Sequence, residues 1–261
     1  MFPDLFSIGP LTIHTYGLFV ALGFVTALFV TVRLSKTQGL ETQQVMDFSF
    51  VTIIWGIIGS RLMFVVMNFS YFKVHPSDIF KIWEGGLVFS GGLIAAILAG
   101  LWYSRRHDLS FWQLGDLYAP GIAIGQGIGR IGCFMAGCCF GRATDRLWGV
   151  VFTDPNSLAP LHIALHPTQL YSFLSGLVIF LILLFLYLKK KYDGQVLLWF
   201  LILHSTGRLM IERFRGDDRG LIPGTEMSVT QLVAIVVLIA SVVVLYTIKS
   251  KKQIGSATDR Q

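Results

Sequence analysis

The residues best suited to chemistry lie between Gly125 and Arg142. This stretch holds all three cysteines of the chain, six glycines and two arginines. Arginine offers a planar, permanently charged fork that matches phosphate. Glycine lets backbones approach closely and adopt positive φ. Apolar segments of membrane-spanning length flank the stretch, so it reads as a site for a lipid phosphate at a membrane surface, following a short fourth span. Arg208 and Glu212 stand four residues apart at the end of another apolar run and share one helical face. Charges within or at the edge of spans are costly and are functional candidates by default; a surface ion pair among headgroups is the other reading. Arg61 lies well inside a span, where it cannot snorkel easily. It must pair, with Glu84 as a candidate, or face a polar cavity and touch substrate.

Other constellations carry weaker signals. Trp83 to Leu93 holds two Gly-Gly pairs. They permit a broken or re-entrant backbone lining a cavity or close helix packing. Tyr16 is an interface anchor or a hydroxyl donor into the site. Gly127 to Gly132 matches a dinucleotide fingerprint by letters, but no strand precedes it and no βαβ unit surrounds it, so that reading is rejected. His166-Pro167-Thr168-Gln169-Leu170-Tyr171 opens an apolar run, with proline suited to a first helical turn. His162 stands four before His166, yet Pro167 argues against a helix there. Cys133, Cys138 and Cys139 could join these histidines around zinc, but they form no pair of CxxC knuckles, the metal signal is weak, and small buried hydrophobes are their expected role. A disulfide or a thiol cluster is the alternative. The sequence names no cofactor and no metal.

The elements that must position these residues follow from composition. The chain has 261 residues, 54% hydrophobic and 14% charged, with mean hydropathy +0.66. A soluble domain would be far more polar. The net charge of +6 comes mainly from basic residues at the ends of apolar runs, a membrane pattern rather than a nucleic-acid one. A span needs about 20 apolar residues. Seven runs meet or approach this: Ile13–Val32, Val45–Met67, Leu87–Tyr103, Leu114–Ile128, Leu170–Leu188, Gln195–Ile211 and Val229–Ile248. Their continuity indicates helices rather than barrel strands. The expected fold is an all-α integral membrane protein of about seven transmembrane helices, with a polar cavity opening toward the outer leaflet. Residues 1–249 form a single polytopic domain and 250–261 a polar, disordered cytoplasmic tail. Arg33, Lys36, Arg105, Arg106, Lys189 to Lys191, Lys249, Lys251 and Lys252 share one face, which places the N-terminus outside and the C-terminus in the cytoplasm. The N-terminal segment lacks the positive region of a cleaved signal peptide. Asp154 to Ser157 and Leu221 to Gly224 mark turns in two long outer connections.

Taken together, these residues resemble the phosphatidylglycerol–prolipoprotein diacylglyceryl transferase family. Gly129-Arg130-Ile131-Gly132 through Gly141-Arg142 is similar to its signature. Tyr16-Gly17, Gly59-Ser60-Arg61, Trp83 to Leu93, Asp116, Ala119-Pro120, Thr144-Asp145 with Trp148-Gly149-Val150, His166 to Tyr171, and Arg208 with Glu212 match further elements in order. The resemblance implies a seven-span enzyme of the bacterial inner membrane. It would move the diacylglyceryl group of phosphatidylglycerol to the lipobox cysteine of a prolipoprotein, releasing glycerol phosphate. Its implied partners are that lipid, the prolipoprotein segment or another acceptor, and membrane lipids, with no nucleic acid. It assigns phosphate binding to Arg130 and leaving-phosphate stabilisation to Arg208. Glu212 orients Arg208 or takes part in proton transfer, and Tyr16 donates a hydrogen bond. Arg61, Ser90, Gly91, Gly92, Gly141, Arg142 and Gln169 fall in the substrate-binding set.

The resemblance also exposes departures. The family usually carries His where this chain has Ser90, Asn at Cys133, Asn at Ala136 and Glu at Cys138. Serine does not replace histidine as a base near neutrality. The arginine framework is kept while the acid–base and amide set is rewritten. A divergent member with another acceptor or none, or a thiol redox or metal protein on the same scaffold, is the alternative.

Overall fold

The structure is a computed structural model. It describes the backbone of residues 2–8, 11–217, 220, 224, 225 and 227–258; side chains at 7, 8, 11–13, 84 and 249–258 lie outside that description. The Leu221 to Pro223 portion of the expected outer turn falls outside it too.

Seven helices of 18 or more residues stand among the described residues: α1 (Thr15–Ser35), α2 (Thr42–Met67), α4 (Phe89–Arg106), α5 (Phe111–Ala136), α6 (Thr168–Leu188), α7 (Gln195–Glu212) and α8 (Val229–Thr258), with the short α3 (Phe69–Val74) after α2. Four of the long helices, α1, α2, α6 and α8, are apolar enough to cross a membrane. The others carry glycines, arginines and polar residues that lower their hydropathy. The protein is therefore mostly helical, with four candidate membrane-spanning helices among the described residues. Two short antiparallel ladders qualify the all-helical expectation: β1 (Asp4–Ile8) with β2 (Leu11–His14), and β3 (Val150–Val151) with β4 (Ala164–Leu165). Both are too short to leave a period-2 signal. Helix α8 runs to Thr258, where the sequence suggests an irregular tail from Ser250.

The chain divides into two compact units, residues 32–114 and the remainder. In the larger unit, α5 packs by backbone contact. A Cβ on Gly23 would fall 2.6 Å from the Gly125 carbonyl oxygen, and one on Gly121 would fall 2.6 Å from that of Ala27. On another side, a Cβ on Gly176 of α6 would meet the Ala123 oxygen at 3.0 Å. Small residues of this kind let membrane helices interlock. Their packing role explains why α5 continues past Ile128, where the sequence reading ends the span, and stops at Gly137 with φ +74°.

Two carboxylates fix α7. Fully buried Asp116 of α5 accepts hydrogen bonds from the backbone N–H groups of Gly194, Val196 and Leu197 at 2.8–2.9 Å, and Lys190 Nζ lies 3.3 Å away. This satisfies donors that a helix start leaves open and complements its dipole. At the other end, Glu212 meets the start of α8. Ser228 and Gln231 form a reciprocal capping box there: Gln231 N–H donates to Ser228 Oγ at 3.2 Å, and Ser228 N–H to Gln231 Oε1 at 2.9 Å.

In the smaller unit, α2 and α4 interlock through glycines. A Cβ on Gly91 would fall 2.5 Å from the Gly59 oxygen, and one on Gly92 would fall 2.8 Å from that of Gly56. The two Gly-Gly pairs thus divide their labour. Gly91 and Gly92 are helical packing residues. Gly85 and Gly86 have φ of +87° and +72° in the connection before α4.

Candidate active site

A small recess of about 40 Å³ opens among α5, α6 and α7 in the larger unit. Arg130 and Arg208 both line it, joined by Gln126, Ser172, Ser175 and His204. Helical spacing brings them there: Gln126 and Arg130 are four apart on α5, and His204 and Arg208 four apart on α7. The sequence reading missed Gln126, His204 and the two serines. Four-residue offsets from Arg130 and Arg208 are the signal that finds Gln126 and His204; the two serines stand on α6, which carries no arginine.

Arg208 Nη2 pairs with Glu212 Oε2 at 2.9 Å. Glu212 is buried, and its Oε1 accepts from Ser228 Oγ at 2.8 Å and Thr230 Oγ1 at 3.0 Å. The carboxylate thus holds Arg208 from behind while α8 holds the carboxylate. A guanidinium fixed this way costs little reorganisation when an anion arrives.

Arg130 is on the helix rather than on a loop after it, and a sulfur-lined turn closes over its end. Cys133 is one turn on and buried; Cys138 and Cys139 follow the helix end. The three Sγ atoms lie within 4.8 Å of one another, and among the described residues no histidine joins them. Arg130 Nη1 donates to Cys139 Sγ at 3.6 Å. The turn is held from α6, where fully buried Thr168 and Gln169 donate to the Cys139 and Cys138 carbonyls, each at 2.8 Å. Cys139 has φ 61°, a left-handed conformation that costs a non-glycine residue energy and marks functional sites. Thiol hydrogen bonds from Cys133 and Cys138, with the Arg215 guanidinium alongside, pull the Cys139 thiol well below the ordinary cysteine range. The same sulfur contacts, together with burial, push Cys138 up. Arg215, which the sequence reading passed over, is buried and forked onto Asp217 at 2.6 and 2.8 Å.

Gly141 is buried between two strands of chain. It donates to the His166 carbonyl at 3.1 Å, and a Cβ there would fall 2.8 Å from the Phe214 oxygen. Arg142 has an exposed side chain and is anchored by its N–H to Phe214 O at 2.9 Å. Tyr16 of α1 is 46% exposed, and its backbone meets α5 at Gly132. Gln169 therefore acts on the cysteine turn, and Gly141 on the crossing behind it.

The remaining sequence candidates belong to the smaller unit. Arg61 is buried and donates to the carbonyls of Asp78, Ile79, Lys81, Gly85 and Gly86 at 2.5–3.2 Å. The rings of Phe64 and Phe72 lie 5.5 Å from its guanidinium carbon. The Glu84 side chain, its expected partner, lies outside the described part. Gly91 and Gly92 are buried in the α2–α4 contact, and Ser90 is exposed at the start of α4.

The prolipoprotein diacylglyceryl transferase family model matches residues 3–247. A phosphatidylglycerol–prolipoprotein diacylglyceryl transferase of Clostridium tetani is 32% identical over 97% of this chain and all of its own length. Those of Geobacter sulfurreducens and Pseudoalteromonas atlantica are 37% and 40% identical, over 85% and 83% of this chain and 86% and 76% of theirs. Sequence motifs in order, helical packing around a two-arginine recess, and similarity along nearly the whole chain converge on one conclusion: the chain belongs to the prolipoprotein diacylglyceryl transferase family.

Proposed function

We propose that this protein transfers the diacylglyceryl group of phosphatidylglycerol to the lipobox cysteine thiol of a prolipoprotein, releasing glycerol phosphate. The observation that carries the reading is a family match from residue 3 to 247 in a chain whose Arg130 and Arg208 line one recess. In this reaction the acceptor sulfur attacks the glyceryl carbon that bears the phosphate oxygen. The carbon–oxygen bond breaks, and its electron pair leaves with the phosphate. Negative charge builds on the leaving group, where fixed guanidinium groups in a water-poor site lower the barrier most.

In this reading Arg130 binds the lipid phosphate and Arg208 stabilises it as it leaves. Glu212 orients Arg208, and Tyr16 offers its hydroxyl. Gln169, Gly141 and Arg142 shape the turn beside Arg130. Arg61, Gly91 and Gly92 serve by fixing their own unit, and Ser90 stands where the family carries its base. All seven long helices span the inner membrane of a bacterium, with the N-terminus outside, the C-terminus cytoplasmic and the recess open toward the outer leaflet. The positive-inside pattern supports that orientation.

The test is direct. Purified protein is incubated with labelled phosphatidylglycerol and a lipobox peptide, and the product is examined by mass spectrometry. A thioether-linked diacylglyceryl peptide is expected. Lipid binding without any such product removes the reading for that acceptor.

A further inference from the structure

We infer that Cys133, Cys138 and Cys139 form a three-thiolate site for a thiophilic divalent ion of the zinc class, with its fourth position open to the acceptor thiol. The three sulfurs already stand within 4.8 Å of one another. Ligand sulfurs about 2.3 Å from a tetrahedral zinc are about 3.8 Å apart, so side-chain adjustments of about an ångström seat the ion. The scaffold is prepared for it. Thr168 and Gln169, both fully buried, fix the two carbonyls of the turn, and Cys139 takes a left-handed backbone with φ 61°. Three thiolates and one divalent cation carry a net single negative charge. A guanidinium flanks the cluster: Arg130 Nη1 lies 3.6 Å from Cys139 Sγ.

Three protein ligands with one open position are the arrangement of a working zinc site rather than a closed structural one. Cys138 and Cys139 are partly exposed while Cys133 is buried, so the open position faces away from the core. This inference rests on the transfer reaction proposed above. In that reaction the acceptor is itself a thiol, and a coordinated thiol is deprotonated outright. Its proton passes to solvent, and its sulfur lone pair attacks the glyceryl carbon. The carbon–oxygen bond breaks toward glycerol phosphate, and the ion keeps its charge, so no oxidant or reductant is needed. Such activation fills the gap left by Ser90, which cannot act as the base.

The full-length protein, purified and dialysed against zinc and then cobalt(II), tests this. One equivalent of zinc is expected, and the cobalt form should show thiolate-to-cobalt charge-transfer bands that Cys138→Ser weakens. A lipobox peptide should shift the cobalt ligand-field bands, and its Cys→Ser counterpart should leave them unchanged. Wild-type protein that emerges metal-free with three alkylatable thiols, or with a disulfide among them, overturns the site. A cysteine peptide that leaves the cobalt spectrum unmoved overturns the open position. Lipid transfer is assayed separately: transfer that survives exhaustive chelation sinks the metal role and keeps the function. Charge-transfer bands without any transfer keep the site and sink the function.

Discussion

Arg61 and Arg130 are both guanidinium groups inside apolar helices, one in each unit, and the sequence around them raises the same question. Their surroundings answer it differently. Every nitrogen of Arg61 is spent on backbone carbonyls between Asp78 and Gly86. Arg130 gives one hydrogen bond, among the described residues, to a polarisable sulfur and otherwise lines a recess that Arg208 shares. An arginine surrounded by carbonyls from its own chain organises that chain. An arginine facing space beside a second arginine is, in the proposed reaction, the one that meets an anion from elsewhere.

This contrast can be broken in order of effect. Arg130→Ala should lower diacylglyceryl transfer by about 10²–10³-fold, or roughly 3–4 kcal/mol of barrier, with the melting temperature nearly unchanged. Comparable loss of both would erase the distinction. Arg61→Leu should do the reverse, destabilising the protein by about 3 kcal/mol because five carbonyls lose a charged donor. Thermal unfolding in detergent reads this, and Arg61→Lys should rescue little, since an ammonium lacks the fork. Asp116→Asn should cost about 2 kcal/mol by weakening charge-assisted bonds to the start of α7. Glu212→Gln keeps oxygen contacts to Ser228 and Thr230 but loses the ion pair, so kcat should fall about tenfold, or 1.4 kcal/mol, with KM little moved. Ser228→Ala, which removes one cap of α8, should cost about 1 kcal/mol in stability.

Helix positions were legible because apolar runs of about 20 residues have few other uses. The long stretch of α5 beyond Ile128 was not, since glycine breaks helices in water but joins them in apolar surroundings. Gly121, Gly125 and Gly176 are therefore interlocking residues, and the signature's chemistry narrows to Arg130 and its neighbours. Arg208 with Glu212 could be read from spacing alone. The convergence of the thiols could not, because it depends on reversals at Gly137 and Cys139 rather than on a repeat of spacing. Asp116 was visible only as a motif letter; its partners are the first N–H groups of a helix about eighty residues on, which no local pattern encodes.

Helix α7 is tethered at both ends, to Asp116 at its start and through Glu212 to the beginning of α8 at its finish. A rod clamped twice cannot spin about its own axis without tearing both clamps. The bearing of Arg208 is thus set by the protein itself, and in the proposed reaction the lipid comes to a stationary charge. Motion that admits a two-tailed lipid has to be sought in side chains or in other helices, and α7 serves as the fixed post against which such motion would be measured.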